Sequence, residues 1–186
     1  MTGGLGAGKS EALRALEELG AATLSTDAIV HELLQADELR DRLVQRLGAE
    51  VAPGGAVDRG AVAERVFGRD EDREWLEGEL WPRVGLRMAE WRQALDADVP
   101  AAVVEVPLLF ESGTESVFDH TIAVVADEEA RAERAGTRGH QAVEARAGRQ
   151  LTQEEKAQRA DFVVRNDGTL EELKEELSRI LERIVP

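Results

Sequence analysis

The chain contains no cysteine, which excludes a disulfide scaffold, a thiolate metal site and a cysteine nucleophile. It has no apolar run near the roughly 20 residues that a bilayer-spanning helix requires. No charged-then-apolar leader precedes the first motif, so the expected address is the cytoplasm, away from any membrane. Basic charge is scarce: 23 lysines and arginines face 38 aspartates and glutamates, a net charge of −15. Such an acidic field repels phosphate backbones, so nucleic acid is not an expected partner. No feature calls for an obligate protein partner. Lysine is rarer still, with 3 in 186 residues. What is present is 42% apolar and 33% charged, enough apolar surface for a real core in a domain of ordinary length.

Charge is unevenly placed. Residues 131–150 hold Arg131, Arg134, Arg138, Arg146 and Arg149 against Glu133 and Glu144, a local +3 in a chain whose remainder carries −18. Such a stretch is either a solvated helix face or a local anion site. Three territories follow one another. At the start, a glycine loop leads into an amphipathic helix over Glu11 to Leu19, stopped by Gly20, and then a short buried strand from Ala21 to Leu24 that ends near Asp27. Residues 28–97 show helical stripes only: Leu39, Leu43, Val44 and Leu47, then Val62, Val66 and Phe67 beyond Pro53-Gly54-Gly55, then Trp81, Val84, Met88, Trp91 and Leu95. Trp75, Trp81 and Trp91 are expected to pack within this stretch. From residue 101 an α/β alternation returns, with β-rich runs at Ala101 to Val106, Thr121 to Ala126 and Phe162 to Val164. The last helix opens with Thr169 and Glu172 at capping-box spacing. Strands separated by helices predict an α/β fold with a mostly parallel sheet covered on both faces.

Gly3-Gly4-Leu5-Gly6-Ala7-Gly8-Lys9-Ser10 satisfies the G-x-x-x-x-G-K-[ST] phosphate-loop pattern. Glycines allow positive φ and close approach, so that backbone N–H groups converge on a phosphate. The helix start adds its positive end. In this chemistry Lys9 bridges the β- and γ-phosphates of ATP and the Ser10 hydroxyl ligates Mg²⁺. The nucleotide-binding set is Gly4, Leu5, Gly6, Ala7, Gly8, Lys9, Ser10 and Glu11. Asp27, at a strand end facing the nucleotide crevice, either accepts a substrate hydroxyl's proton or caps the next helix. Glu105, ending a β-rich run before Pro107, either helps hold Mg²⁺ or closes a salt bridge. Only Met1 and Thr2 precede Gly3, too few for the strand from which such a loop normally leaves. The sequence therefore predicts a sheet whose first strand is missing, and a chain of marginal stability.

Together these residues resemble the dephospho-coenzyme A kinase family over nearly the whole chain. The resemblance rests on Thr2 through Ser10, Leu24-Ser25-Thr26-Asp27, Val57-Asp58-Arg59, Trp75-Leu76 with Trp81-Pro82, and Val106-Pro107-Leu108-Leu109-Phe110-Glu111. It continues in Arg146, Gln150, Lys156, Ala160-Asp161-Phe162-Val163-Val164, Asn166 and Gly168. It implies a P-loop NTPase-type three-layer fold in one kinase domain. The core comprises residues 1–27, 98–130 and 151–186, an inserted helical coenzyme A lobe residues 28–97, and an arginine-bearing lid residues 131–150. It further implies transfer of the ATP γ-phosphoryl to the 3′-hydroxyl of dephospho-coenzyme A. Asp27 is then the base, and Lys9 with Arg138 or Arg146 stabilises the moving phosphoryl. The alternatives are another small-molecule or nucleotide kinase, or a nucleotide-binding remnant without turnover. The chain departs from the family pattern where Ser25 replaces the first acid of Asp-x-Asp, where Trp81 replaces a histidine before proline, and at the missing strand.

Overall fold

The computed structural model describes residues 1–128, 130–131 and 150–185. In chain order the elements are β1 (Thr2–Gly3), α1 (Lys9–Glu18), β2 (Ala22–Ser25), α2 (Thr26–Gln35), α3 (Asp37–Leu47), α4 (Arg59–Val66), α5 (Asp70–Gln93), β3 (Ala102–Glu105), β4 (Ile122–Val125), α6 (Gln153–Arg159), β5 (Phe162–Arg165) and α7 (Leu170–Ile184). Among the described residues these form two compact units, one from residues 1–26, 95–131 and 150–185, the other from residues 27–94.

The first unit is the α/β part. Every strand pair in it is parallel: β2 runs beside β3, β1 beside β4, and β4 beside β5. β4 carries Ile122-Ala123-Val124-Val125, all buried, the continuous apolar run expected of a parallel strand covered on both faces. Ala12, Ala15 and Leu16 of α1 and Leu173, Leu177, Ile180 and Leu181 of α7 pack together over Val103, Ile122, Val124 and Val164. α7 presents this stripe because its leucines and isoleucines recur at helical spacing. Its start is fixed by a reciprocal capping box between Thr169 and Glu172, as the sequence predicts. A second capping box, Thr152 with Glu155, starts α6.

The first strand is present, which corrects the expectation of a missing one. Thr2 pairs with Ala123 and Gly3 with Val124. On the other side the Met1 amino group donates to the Val104 carbonyl at 2.7 Å, and the Val106 N–H donates to the Met1 carbonyl at 2.9 Å. β1-β4-β5 form one three-stranded sheet and β2-β3 a two-stranded one, and the two Met1 bonds place the start of β1 beside β3. Burial pushes the Met1 amino group from 8.0 down to about 5, against the opposing pull of the Glu105 charge.

The second unit is all helical, as its stripes predict. Leu39, Leu43 and Leu47 of α3 meet Leu34, Val51, Val57 and Val62, with Trp75, Leu76 and Leu80 of α5 packed against them. Two expected core residues behave otherwise: Phe67 ends α4 and is 70% exposed, and Trp81 is 40% exposed. Phe67 leaves its stripe through its extended backbone at the helix end, whereas Trp81 lies inside α5 beside Pro82.

Candidate active site

The loop between β1 and α1 is shaped by two left-handed glycines, Gly6 (φ 74°) and Gly8 (φ 85°). Gly8 precedes α1 and no side chain caps that helix, so its positive end faces the loop. Gly8 is doubly constrained, since a Cβ there would collide with the Asn166 amide. Asn166 is buried; its backbone N–H donates to the Val125 carbonyl at 2.8 Å. Its Nδ2 donates to the Ala7 carbonyl at 3.1 Å and to Glu11 Oε2 at 3.3 Å. Lys9 folds back over the loop, and its Nζ donates to the Gly3 and Gly4 carbonyls at 3.1 Å each. From the other side Arg131 Nε donates to the Leu5 carbonyl at 3.0 Å. Gly4, Leu5, Gly6, Ala7, Gly8, Lys9, Ser10 and Glu11 are thus one continuous structure, with the Glu11 carboxylate engaged by Asn166.

Beside it, a cavity of about 370 Å³ is lined by Ser10, Arg14, Glu17, Thr23, Ser25 and Glu105, among others. Glu105 is 7% exposed. The Ser25 hydroxyl donates to its Oε2 at 2.7 Å, and the Thr26 hydroxyl donates to its backbone carbonyl at 2.9 Å. The salt-bridge alternative for Glu105 is not realised with any lysine or arginine among the described residues. Ser25, where the family pattern carries an acid, is therefore a neutral donor that satisfies one carboxylate oxygen. Two adjacent buried carboxylates would repel instead. Asp27 lies in the first turn of α2, which begins one residue earlier, at Thr26. It is therefore not the cap of that helix. Arg138 and Arg146 lie outside the described residues.

Sequence reasoning missed one buried ion pair that supports this site. Lys156 is fully buried; its Nζ contacts Glu111 Oε1 at 2.8 Å, the Pro107 carbonyl at 2.6 Å and Thr2 Oγ1 at 3.4 Å. Burial pushes the Lys156 ammonium below its ordinary range, opposed by the bond and charge of Glu111. Glu111 Oε1 also accepts the Leu151 N–H at 2.8 Å. The strand before the loop, the Pro107–Glu111 segment and the start of α6 are thereby tied at one point. Among the described residues, no group of three or more histidines or carboxylates gathers to hold a metal by itself, and no helix is long and apolar enough to cross a membrane.

Residues 1–172 match the profile of the dephospho-CoA kinase family. The chain belongs to that family. It is 39% identical over 191 residues to the dephospho-CoA kinase of Protochlamydia amoebophila, covering 99% of this chain and 94% of that one. It is 37% identical to that of Deinococcus radiodurans, covering 99% and 90%. Among solved structures, a protein from Thermus thermophilus superposes with a TM-score of 0.83 at 34% identity, covering 100% of this chain and 96% of that one. The dephospho-CoA kinase from Campylobacter jejuni superposes with a TM-score of 0.69 at 26% identity, covering 99% and 94%. A kinase of this family uses a P-loop NTPase-type fold, and the parallel sheet, glycine loop and α1 described above are that fold's working parts.

Proposed function

We propose that this chain carries out the family's reaction, the ATP-dependent phosphorylation of dephospho-coenzyme A that completes coenzyme A synthesis, with the γ-phosphoryl passing to the ribose 3′-hydroxyl. The observation that carries the proposal is the phosphate loop preformed by Lys9, Asn166 and Arg131 in a chain whose family is known. Gly4 to Ser10 hold the ATP phosphates with backbone N–H groups. Lys9, which donates to two neutral carbonyls, exchanges these for phosphate oxygens, a stronger charge-assisted pairing. Asp27 takes the proton of the attacking hydroxyl and aims its oxygen at the γ-phosphorus. The bond from the γ-phosphorus to the β–γ bridging oxygen breaks as the new ester forms, leaving ADP. Arg138 or Arg146 of the 131–150 segment contributes positive charge to the transferring group.

Mg²⁺ fits the donor set beside the loop. It prefers one or two protein oxygens with waters and substrate phosphates completing its shell, and Ser10 and the partly satisfied Glu105 carboxylate line the same cavity. There it would neutralise charge on the phosphates. The helical unit at residues 27–94 is the proposed acceptor-binding lobe, with the cytoplasm as the place of action. The test is ADP release by the purified chain with dephospho-coenzyme A, adenosine monophosphate or no acceptor in parallel. Release should depend on dephospho-coenzyme A. Release with adenosine monophosphate would identify another nucleotide kinase, and ATP binding without release a remnant.

A further inference from the structure

We propose that Arg131 is a positioning residue for the nucleotide, holding the first half of the phosphate loop in its anion-receptive shape before any nucleotide arrives. The inference rests on the reading of this loop as the ATP site and assigns a role to a residue that the loop motif does not contain.

A phosphate-binding nest requires successive N–H groups to point inward while the carbonyls point away. In a planar trans peptide the C=O and the following N–H point in opposite directions. A donor that pins a carbonyl outside the loop therefore aims the next N–H inward. Arg131 Nε pins the Leu5 carbonyl at 3.0 Å, which orients the Gly6 N–H. Asn166 does the same for the Ala7 carbonyl from the opposite side, orienting Gly8. The two side chains thus fix the two left-handed positions of the loop, Gly6 and Gly8.

Packing makes the same point. A Cβ at Gly6 would lie 2.6 Å from the Arg131 carbonyl oxygen, and one at Gly4 would touch the Arg131 guanidinium at 3.5 Å. Gly6 thus leaves room for Arg131 as well as for phosphate, whereas a Cβ at Gly4 would make only ordinary contact with it. Arg131 is held to this place by its own N–H, which donates to the Asp127 carbonyl at 3.0 Å just beyond β4. Among the described residues the Leu5 carbonyl is its one side-chain hydrogen-bond partner.

The test measures ADP and ATP affinity by titration calorimetry for the wild type, Arg131→Ala and Arg131→Lys, with steady-state kinetics and thermal melts alongside. Arg131→Ala should weaken ADP and ATP by the same factor, about tenfold, the scale of one hydrogen bond to a charged group. The KM for ATP should rise while that for dephospho-coenzyme A stays put, and the melting temperature should fall by only a few degrees. Arg131→Lys should recover part of the affinity. Unchanged ADP affinity overturns the proposal. So does loss of ATP binding with ADP binding retained, which would place the guanidinium on the terminal phosphate. A collapsed melting temperature with no recovery in Arg131→Lys overturns it as well, leaving a merely structural residue. Should the wild type bind ADP tightly yet fail to phosphorylate dephospho-coenzyme A, the functional reading falls while the ADP comparison still decides the role of Arg131.

Discussion

Replacing Lys156 by Met removes the cation from a site with no solvent access and keeps most of its volume. Glu111 is then left with the Leu151 N–H as its donor, on Oε1. Its other oxygen is buried and already has no partner among the described residues. Breaking a buried pair by removing one member costs about 3–5 kcal/mol, because the remaining charge stays desolvated. For a chain of this length each kcal/mol corresponds to about 2–4 °C in melting temperature. Lys156→Met should therefore melt about 6–20 °C lower in a circular-dichroism scan. The double variant Lys156→Met/Glu111→Gln should recover most of that loss, since removing both charges also removes the desolvation penalty. Glu111→Gln alone should behave differently, because a lysine can shed its proton. With its folded pKa depressed further below 10.5, the unfolded state binds more protons in the window between the two values, so stability should rise with pH there. A Lys156→Met variant that melts like the wild type would refute this reasoning, as would a double variant no better than the single one.

Lys9→Ala should abolish ADP release while shifting the melting temperature by no more than a few degrees, since the Lys9 ammonium donates to the Gly3 and Gly4 carbonyls of the loop itself. Asp27→Asn should lower kcat by about 10²–10⁴-fold, the range for a general base, with either KM changed far less. A lowered melting temperature at unchanged kcat would make Asp27 a structural helix residue.

The parts of this fold that were legible in the sequence are those written in local pattern. The glycine loop, the β-rich runs of β3 and β4 and the Thr169–Glu172 cap each depend on residues a few positions apart. What escaped depends on distant partners. β1 is too short for any periodicity and exists because Val104, Val106, Ala123 and Val124 offer ladder bonds from more than 100 residues away. Lys156 sits among charged neighbours in a short helix, and only its approach to Pro107 and Glu111 makes it a core residue. Arg131 stands in the basic stretch visible from composition, yet nothing local separates an arginine on the phosphate loop from four others nearby. Asn166 reads as a turn residue, and its hold on Ala7 becomes apparent only when β5 is placed beside β4. Asp27 shows the reverse case: its position after β2 was legible, and the helix that starts at Thr26 places it inside the first turn of α2, while its role as base remains the proposal tested above.

The most direct measurement supplies ATP labelled in its γ-phosphoryl group to the purified chain with Mg²⁺ and dephospho-coenzyme A, and locates the label. The account predicts label on coenzyme A, as an ester at the ribose 3′-oxygen, in amounts matching the ADP formed and lost in Asp27→Asn. Label found only in inorganic phosphate, on another hydroxyl, or still in ATP would contradict it.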